Sequence, residues 1–358
     1  MFIGYGLDPS RREAVSINTS RLVVDLNGFG DEVSVLSLGY PMSDKGSLYG
    51  YSFLDTVLRR QTIINNISNY IVEHKITHIV DVFVLPLSSL LFIVPLCTIH
   101  PNVIFIKELH NDAGHPRYFS SETIIRIIAN SKWQLNKLLC SYKRVYTRNP
   151  GLAAKYHLSF LPPCVETKAL VRRYSTLPLR ICYLGHALKK KGIFVFPKLF
   201  QLLSAHEKKS VIFTFSLSHL GNPSKMGKML KLAAKNTGIT ISILGEQSPS
   251  VFFRSQDVYL LPIQDIYGAV STPNTVLEAM EAGCLVGVTK IDSLVGLVES
   301  GHNALQFTYP TAQSLYQLLH GLLKDRAKYH VLVRQARKDI MNKYNRSNYL
   351  QALETIYA

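Results

Sequence analysis

Short apolar runs alternate with longer amphipathic stretches along the whole chain. In the first half, the apolar runs predict strands at Phe2–Tyr5, Glu32–Ser37, His78–Val84, Asn102–Lys107 and Arg144–Thr147. The stretches between them predict helices at Ala14–Asn27, Leu54–His74 and Glu122–Cys140. Strands that alternate with helices are typical of a parallel sheet covered by helices on both faces.

A second series of the same kind follows. Its apolar runs predict strands at Leu179–Leu184, Ser210–Phe215, Thr240–Leu244, Asp257–Leu261 and Cys284–Val288. Its helices are predicted at Val195–Leu203, at Lys225–Asn236, from Thr275 to a stop at Gly283, and over Gln313–Tyr357 with an interruption near Asn345. We therefore predict an α/β protein with two Rossmann-like, doubly wound domains.

Two prolines, Pro162 and Pro163, interrupt the alternation between the two series. The interruption predicts a domain of residues 1–165 and a second domain of residues 166–340, which face each other across a deep cleft. Doubly wound sheets bind their ligands outside the carboxyl ends of the strands, so the cleft is the predicted ligand site.

The composition is that of a globular protein, with 358 residues, 47% of them hydrophobic and 18% charged. The five cysteines are scattered and form no C-x-x-C pair, which favours a reducing compartment without a zinc site. The most apolar stretch, Leu85–Ile99, contains two prolines and is too short to cross a bilayer. The N-terminal residues lack the charged and apolar regions of a signal peptide. We therefore expect a cytoplasmic protein.

The formal net charge of +16 suits an anionic membrane surface, a phosphate-rich ligand or nucleic acid. It also suits a surface that simply keeps the protein in solution. Nucleic acid is the weaker hypothesis, because no recognition helix, zinc finger or aromatic-basic platform accompanies the charge. The charge allows peripheral contact with the inner face of an anionic membrane.

Candidate chemistry lies first in the segment from Ser271 to Gly283. A buried-strand pattern ending at Pro262 is followed by a polar loop, Ser271–Thr275, which ends where the helix begins. A strand, a polar loop and a helix N-terminus bind phosphate, because unpaired backbone N–H groups and the positive end of the helix dipole meet there. Glu278, one turn into the helix, could reach a ribose hydroxyl pair; the alternative is a carboxylate on the helix surface.

The second candidate segment is Cys182–Gly192, which opens the second domain. Gly185 is predicted to end a strand, and Lys191 follows six residues later, just before Gly192. A lysine on such a loop can neutralise a diphosphate leaving group as a point charge. The alternative is a solvated lysine in a strand-to-helix turn.

The order of several motifs resembles the family 4 (group 1) retaining glycosyltransferases of GT-B fold. The family's G-R-L-x-x-x-K-G segment is similar to Gly185–Gly192, and its strand-Gly segment to Ile243–Gly245. Further similar segments, in the family's order, are Gly30–Leu36, Leu161–Thr167, Gln256–Pro262, Leu277–Val286 and Tyr344–Tyr357. Each motif is weakly specific, but together they cover nearly the whole chain.

The resemblance implies a role for each candidate residue. Lys191 would bind the donor diphosphate, Glu278 the ribose, and His110 the transferred sugar or its acceptor, which makes these three the predicted catalytic residues. Donor binding is assigned to Gly185, His186, Lys191, Gly192, Gly245, Pro273, Asn274, Thr275, Val276 and Glu278. Acceptor binding is assigned to Arg11, Arg12, His110, Asn111 and Asp112, with a solvated turn as the alternative for the two arginines.

The resemblance also divides the work between the domains. The first domain would bind the acceptor and the second the nucleotide sugar, while residues 341–358 would form a helix that returns to the first domain. The expected activity is that of a retaining hexosyltransferase. It would move a sugar from a UDP- or GDP-linked donor to a hydroxyl of a glycan, a lipid-linked or a protein-linked acceptor. No convincing Asp-x-Asp segment occurs, so neither a metal nor another cofactor is expected.

Two departures from the family pattern keep alternatives open. His186 stands where the family has an arginine, and Val270 stands where it has the first glutamate of its E-x7-E motif. One alternative is therefore a protein that binds a nucleotide sugar without turnover. Another is a GT-B nucleotide-sugar epimerase. The oligomeric state is left open.

Overall fold

The computed structural model describes residues 1–5, 14–29, 32–38, 59–82, 86–108, 142–165, 178–264 and 273–357. The chain divides into two compact units. The first comprises Met1–Arg148 and Leu152–Leu161, and the second comprises Asn149–Gly151 and Pro162–Ala358. The main division thus falls just before the proline pair. The predicted roles of the domains, and the predicted return of the last helix to the first domain, stay predictions.

The first unit contains a six-stranded parallel sheet in the order β2-β1-β3-β4-β5-β6. Its strands are β1 (Phe2–Tyr5), β2 (Val35–Leu38), β3 (His78–Asp81), β4 (Ile104–Glu108), β5 (Arg144–Thr147) and β6 (Ser159–Phe160). Its helices are α1 (Ala14–Gly28), α2 (Arg60–Glu73) and α3 (Pro86–Ile99), with α4 (Pro150–Tyr156) at the passage to the second unit. The predicted helix at Glu122–Cys140 lies outside the described residues.

Helix α3 occupies the apolar stretch for which the sequence pattern predicts no helix. Pro86 is its first residue, where proline is tolerated because the backbone N–H it lacks would have no partner in the helix. Pro95 lies inside the helix, and the buried side chains of Phe92, Ile93 and Leu96 around it supply the packing that holds the segment helical. Within the described residues, none of the helices combines the length and the apolar character needed to cross a bilayer.

Buried charges lie at the carboxyl ends of β3 and β4. The Lys107 ammonium group donates a hydrogen bond of 3.0 Å to Asp81, whose second oxygen accepts one from Tyr142. Burial lowers the pKa of Lys107, and Asp81 opposes that change. The adjacent Glu108 accepts a hydrogen bond of 2.6 Å from Tyr146. This polar cluster ends just before residues 109–141, which the structure does not describe.

The second unit contains another six-stranded parallel sheet, in the order β12-β11-β10-β7-β8-β9. Its strands are β7 (Leu179–Ala187), β8 (Val211–Gly221), β9 (Thr240–Leu244), β10 (Val258–Leu261), β11 (Leu285–Thr289) and β12 (Leu305–Phe307). Its helices are α5 (Phe196–Leu202), α6 (Ala205–Lys209), α7 (Pro223–Thr237), α8 (Pro249–Phe252), α9 (Asn274–Glu281), α10 (Ala312–Lys324), α11 (Arg326–Lys343) and α12 (Arg346–Tyr357).

The predicted strands and helices are confirmed within the described residues, apart from their ends. The strands that the pattern does not predict, β6 and β12, are two and three residues long. The prediction that Gly185 ends a strand is wrong, because β7 continues to Ala187. Its hydrogen bonds to the long neighbouring strand β8 extend it, and a register shift between His186 and Ala187 marks where the pairing becomes irregular.

Strands β7 and β10 are neighbours at the centre of the second sheet, with Tyr259 opposite Cys182. From this point the chain order runs outward in both directions, through β8 and β9 on one side and through β11 and β12 on the other. The sheet is parallel, so the carboxyl ends of β7 and β10 lie side by side at one edge. This reversal of strand order is where doubly wound sheets bind their ligands.

A tight turn after β7 packs directly against the end of β10. Two 3₁₀ turns, Lys189–Lys191 and Ile193–Val195, are joined by Gly192, whose φ of 80° is left-handed. A Cβ atom on Gly192 would lie 1.6 Å from the carbonyl oxygen of Pro262. The backbone N–H of Gln264 donates a hydrogen bond of 3.0 Å to the carbonyl of Lys190. Only glycine allows this approach, which holds Lys191 beside the end of β10.

We predict that Gly192→Ala destabilises the second unit by about 2–4 kcal/mol, because it adds a clash with Pro262 to the cost of a left-handed alanine. Gly238→Ala is the matched control: its φ of 72° is also left-handed, but nothing lies within 4 Å of the added Cβ. The control should lose only about 1–2 kcal/mol. Urea denaturation followed by circular dichroism measures both. Equal losses would show that the contact with Pro262 has no role.

Candidate functional site

Two buried tyrosine hydroxyl groups hold the carboxyl end of β7. Tyr183 donates a hydrogen bond of 2.8 Å to the carbonyl of His186, and Tyr259 on β10 donates one of 3.2 Å to the carbonyl of Leu184. Both side chains are fully buried, and burial raises the pKa of both phenols, so each remains a neutral donor. The peptide segment from Leu184 to His186 is therefore fixed from within the sheet.

The same Tyr259 hydroxyl connects β7 to the start of helix α9. It lies 3.0 Å from the hydroxyl oxygen of Thr275, the second residue of that helix. Because Tyr259 has a single hydroxyl proton and donates it to Leu184, its oxygen accepts the proton of Thr275. One phenol thus joins β7, β10 and the N-terminus of α9.

The N-terminus of α9 has no side-chain cap. Pro273 precedes the helix with an extended backbone, and a proline side chain has no oxygen that could cap it. The first backbone N–H groups of a helix have no partner within the helix, and they carry the positive end of its dipole. This end of α9 lies at the carboxyl edge of the sheet and offers an electrostatically favourable position to an anion.

Glu278 lies on the same face of α9 as Thr275, because residues three apart are neighbours on a helix surface. Its side chain is half-buried. Burial is the main cause of the raised pKa of Tyr259, and the charge of Glu278 also raises it, which shows that the carboxylate lies near the phenol. Glu278 is thus held at the same edge of the sheet, one helical turn behind the N-terminus.

Lys191 brings a positive charge to this edge of the sheet. Burial, followed by the charge of the neighbouring Lys190, lowers the pKa of its ammonium group from 10.5 to about 8. Among the described residues, no carboxylate or carbonyl group forms a hydrogen bond or ion pair with that ammonium group. An anionic ligand would restore part of the stabilisation that the charge loses when it leaves water.

His186 lies opposite Ser218 of β8, and its Nδ1 atom is hydrogen-bonded to the serine hydroxyl group. The hydrogen bond orients the imidazole ring at the end of β7. The residue that replaces the family's arginine is thus held by the neighbouring strand.

A cavity of about 380 Å³ lies further along the same edge, at the carboxyl ends of β8 and β9. It is lined by Leu217, Pro223, Ser224, Ile243, Leu244, Gly245 and Glu246. Ser216 donates a hydrogen bond of 3.0 Å to the carbonyl of Gly245 and holds the wall of the cavity in place. A cavity of this volume accommodates a small ligand or one part of a larger one.

Most of the predicted donor residues therefore lie at one edge of one sheet. Gly185 and His186 lie on β7, Lys191 and Gly192 in the turn after it, Pro273–Val276 and Glu278 at the start of α9, and Gly245 after β9. The predicted acceptor residues Arg11, Arg12, His110, Asn111 and Asp112 lie outside the described residues, as does Val270. His110 therefore stays a prediction.

The pattern of apolar residues does not identify Tyr183 and Tyr259 as parts of the site, because in a buried strand tyrosine counts as an apolar residue. A signal was nevertheless present: each tyrosine lies in a buried strand within three residues of Gly185 or Pro262. In the described part of the chain, no group of three or more histidine, cysteine, aspartate or glutamate side chains could hold a metal ion.

The sequence of the second unit matches a known family. Residues 175–339 match the sequence model described as glycosyl transferases group 1. The match includes β7, the Lys191 turn, the cavity beside Gly245 and the whole of α9. A comparison with curated protein sequences gives no match.

Solved structures, glycosyltransferases among them, share the fold of the chain. Sucrose-phosphate synthase from Thermosynechococcus elongatus has a TM-score of 0.73 at 14% identity, over 99% of this chain and 97% of that one. HepE of Anabaena, solved in complex with UDP-glucose, has a TM-score of 0.69 at 13% identity, over 99% and 98%. A glycosyltransferase from Rickettsia africae has a TM-score of 0.68 at 13% identity, over 99% and 97%. The second unit therefore matches the group 1 glycosyltransferase family, and the chain as a whole has the GT-B fold of these structures.

Proposed function

We propose that the protein transfers a hexose from a UDP- or GDP-linked donor to a hydroxyl group of its acceptor and keeps the anomeric configuration. The observation that carries this proposal is the position of Lys191. A desolvated ammonium group and the N-terminus of α9 lie at the same sheet edge, where the strand order reverses. Two positive groups held together in this way suit a diphosphate better than a neutral ligand.

The diphosphate binds between the turn after β7 and the start of α9. Lys191 supplies a point charge, and the backbone N–H groups of Asn274 and Thr275 supply directed hydrogen bonds, whereas the N–H of Val276 already donates one of 2.9 Å to the carbonyl of Pro273. Tyr259 connects β7 with the start of α9 through its contacts with Leu184 and Thr275. Because the donors are positioned before the ligand arrives, little reorganisation opposes the charge that develops on the leaving group.

The nucleoside extends from the diphosphate along the edge of the sheet. Glu278 accepts hydrogen bonds from the ribose hydroxyl groups, and the base lies towards the cavity beside Gly245. The complex of HepE with UDP-glucose supports a uridine-linked donor, because that protein has the same fold.

In the transfer step the bond between the anomeric carbon and the diphosphate oxygen breaks. The acceptor oxygen forms the new bond to that carbon and loses its proton. Lys191 and α9 stabilise the negative charge on the departing diphosphate, which lowers the barrier to an oxocarbenium-like transition state. His110 is the proposed contact to the sugar or acceptor, and the diphosphate is held without a metal ion. The acceptor is a glycan or a lipid-linked or protein-linked hydroxyl group, reached with peripheral contact to an anionic membrane.

A second candidate function is binding of a nucleotide sugar without turnover. The contact between His186 and Ser218 favours it, because an imidazole held by a serine supplies a weaker phosphate contact than the arginine of the family. The two functions differ in one measurable property. Both predict ligand-dependent stabilisation, but only the transferase releases free nucleoside diphosphate when acceptor or water attacks the sugar.

We predict that UDP- or GDP-linked sugars raise the melting temperature of the wild-type chain and that nucleoside diphosphate is released. Lys191→Ala and Glu278→Ala should each lower the release rate about 100-fold or more, because each removes a group that holds the donor. The melting temperature without ligand should change little. The exposed Lys189 gives the matched control, and Lys189→Ala should keep the wild-type rate. Stabilisation without release in the wild type would favour the binding protein, and wild-type rates in both variants would refute the site assignment.

We also predict that the affinity for nucleoside diphosphate falls as the pH rises above about 8. The pKa of Lys191 is lowered to about 8, so its charge is present below that pH and is lost above it. The dissociation constant, measured by titration calorimetry, should then rise by up to about tenfold per pH unit. Lys191→Arg keeps its charge throughout this range, so its affinity, even if weaker, should not change with pH. A wild-type affinity that stays constant up to pH 10 would contradict the role of Lys191.

The stereochemical proposal has its own test. With a donor and acceptor pair that supports turnover, nuclear magnetic resonance of the product should show the donor's anomeric configuration at the new bond. The rate should be the same with and without a metal chelator. An inverted product would refute the retaining assignment, and loss of the rate in chelator would refute the metal-independent one.

A further inference from the structure

Helix α7 has one buried side and one strongly basic side. Met226, Gly227, Leu230 and Ala234 are buried and face the rest of the second unit. Lys225, Lys228, Lys231 and Lys235 are all exposed. At 3.6 residues per turn, these four lysines lie within an arc of about 120° on the side away from the buried residues. We call Lys225, Lys228, Lys231 and Lys235 the lysine face.

No negative charge on the helix balances the lysine face. The helix sequence, Pro223–Thr237, contains neither aspartate nor glutamate. Within the described residues, none of the four lysines forms a salt bridge. Fifteen residues make a helix about 22 Å long, so the face presents a continuous positive strip to solvent.

An exposed leucine lies in the middle of this strip. Leu232 has 61% of its surface exposed and lies four residues after Lys228 and three before Lys235. An apolar side chain surrounded by lysines suits the boundary between lipid headgroups and acyl chains, where the lysines meet anionic headgroups and the leucine leaves water. A surface that binds nucleic-acid phosphates gains nothing from such a leucine, and the strip carries no aromatic residue that could stack on a base.

We propose that the lysine face of α7, together with Leu232, is the surface through which this protein contacts an anionic membrane. The lysine face would thus provide the peripheral membrane contact of the proposed function. Membrane binding through this face does not require that the protein transfers a sugar. The lysine face contains neither Lys191 nor Glu278. Its loss would therefore leave transfer to a water-soluble acceptor unchanged.

The test is co-sedimentation of the full chain with vesicles of phosphatidylcholine, with and without phosphatidylglycerol. The wild type should bind the vesicles that contain phosphatidylglycerol, and added salt should weaken the binding because it screens the charges. Each lysine should contribute up to about fivefold to the partition coefficient. Replacement of all four by glutamine should therefore lower it by up to about 600-fold, and Leu232→Ser alone should lower it severalfold.

The matched control replaces four other exposed lysines, Lys198, Lys209, Lys324 and Lys343, with glutamine. It changes the net charge by the same amount but leaves α7 intact, so it should keep most of the binding. Circular dichroism confirms that both variants are folded. Equal loss in the two variants, or wild-type binding to vesicles without phosphatidylglycerol, would refute the proposal. The proposal would also be refuted if replacing the four lysines of the lysine face left the affinity for vesicles unchanged but abolished binding to duplex DNA or RNA.

Discussion

The contact on which the site depends is the close approach of the turn after β7 to the end of β10. Gly192 lies against the carbonyl of Pro262, and the backbone of Gln264 is hydrogen-bonded to Lys190. The phenol of Tyr259 then connects Leu184 with Thr275 at the start of α9. Without these contacts, Lys191 and the helix N-terminus would belong to separate loops. With them, two positive groups are fixed at one edge of the sheet.

This arrangement has an electrostatic cost that a ligand can offset. Lys191 is half-buried, and burial lowers the pKa of its ammonium group because the charged form loses hydration. A diphosphate at the sheet edge would stabilise both that charge and the dipole of α9. The attraction between Lys191 and the diphosphate would strengthen as the leaving group departs, because the negative charge on the diphosphate then increases. In the proposed function, binding and catalysis therefore depend on the same two groups.

The amino-acid sequence predicts the class of fold and the elements that carry the candidate donor residues, because these depend on local order. Alternation of apolar runs identifies the strands, and the spacing from Gly185 to Lys191 places a lysine after the first strand of the second unit.

The hydrogen bonds of Tyr183 and Tyr259 depend on which strands become neighbours, which apolar patterns do not reveal. The continuation of β7 to Ala187 likewise depends on pairing with β8. The sequence pattern does not predict helix α3, because a proline such as Pro95 disfavours a helix locally. Only the tertiary packing of the apolar residues around Pro95 makes the segment helical. The acceptor residues around His110 stay predictions.

The most direct measurement of the central claim is a crystal structure of the chain with a nucleoside diphosphate. The account predicts that the diphosphate oxygens lie within hydrogen-bond distance of the Lys191 ammonium group and of the backbone N–H groups at the start of α9, with the ribose at Glu278. A nucleoside diphosphate bound in the second unit away from both groups would contradict it.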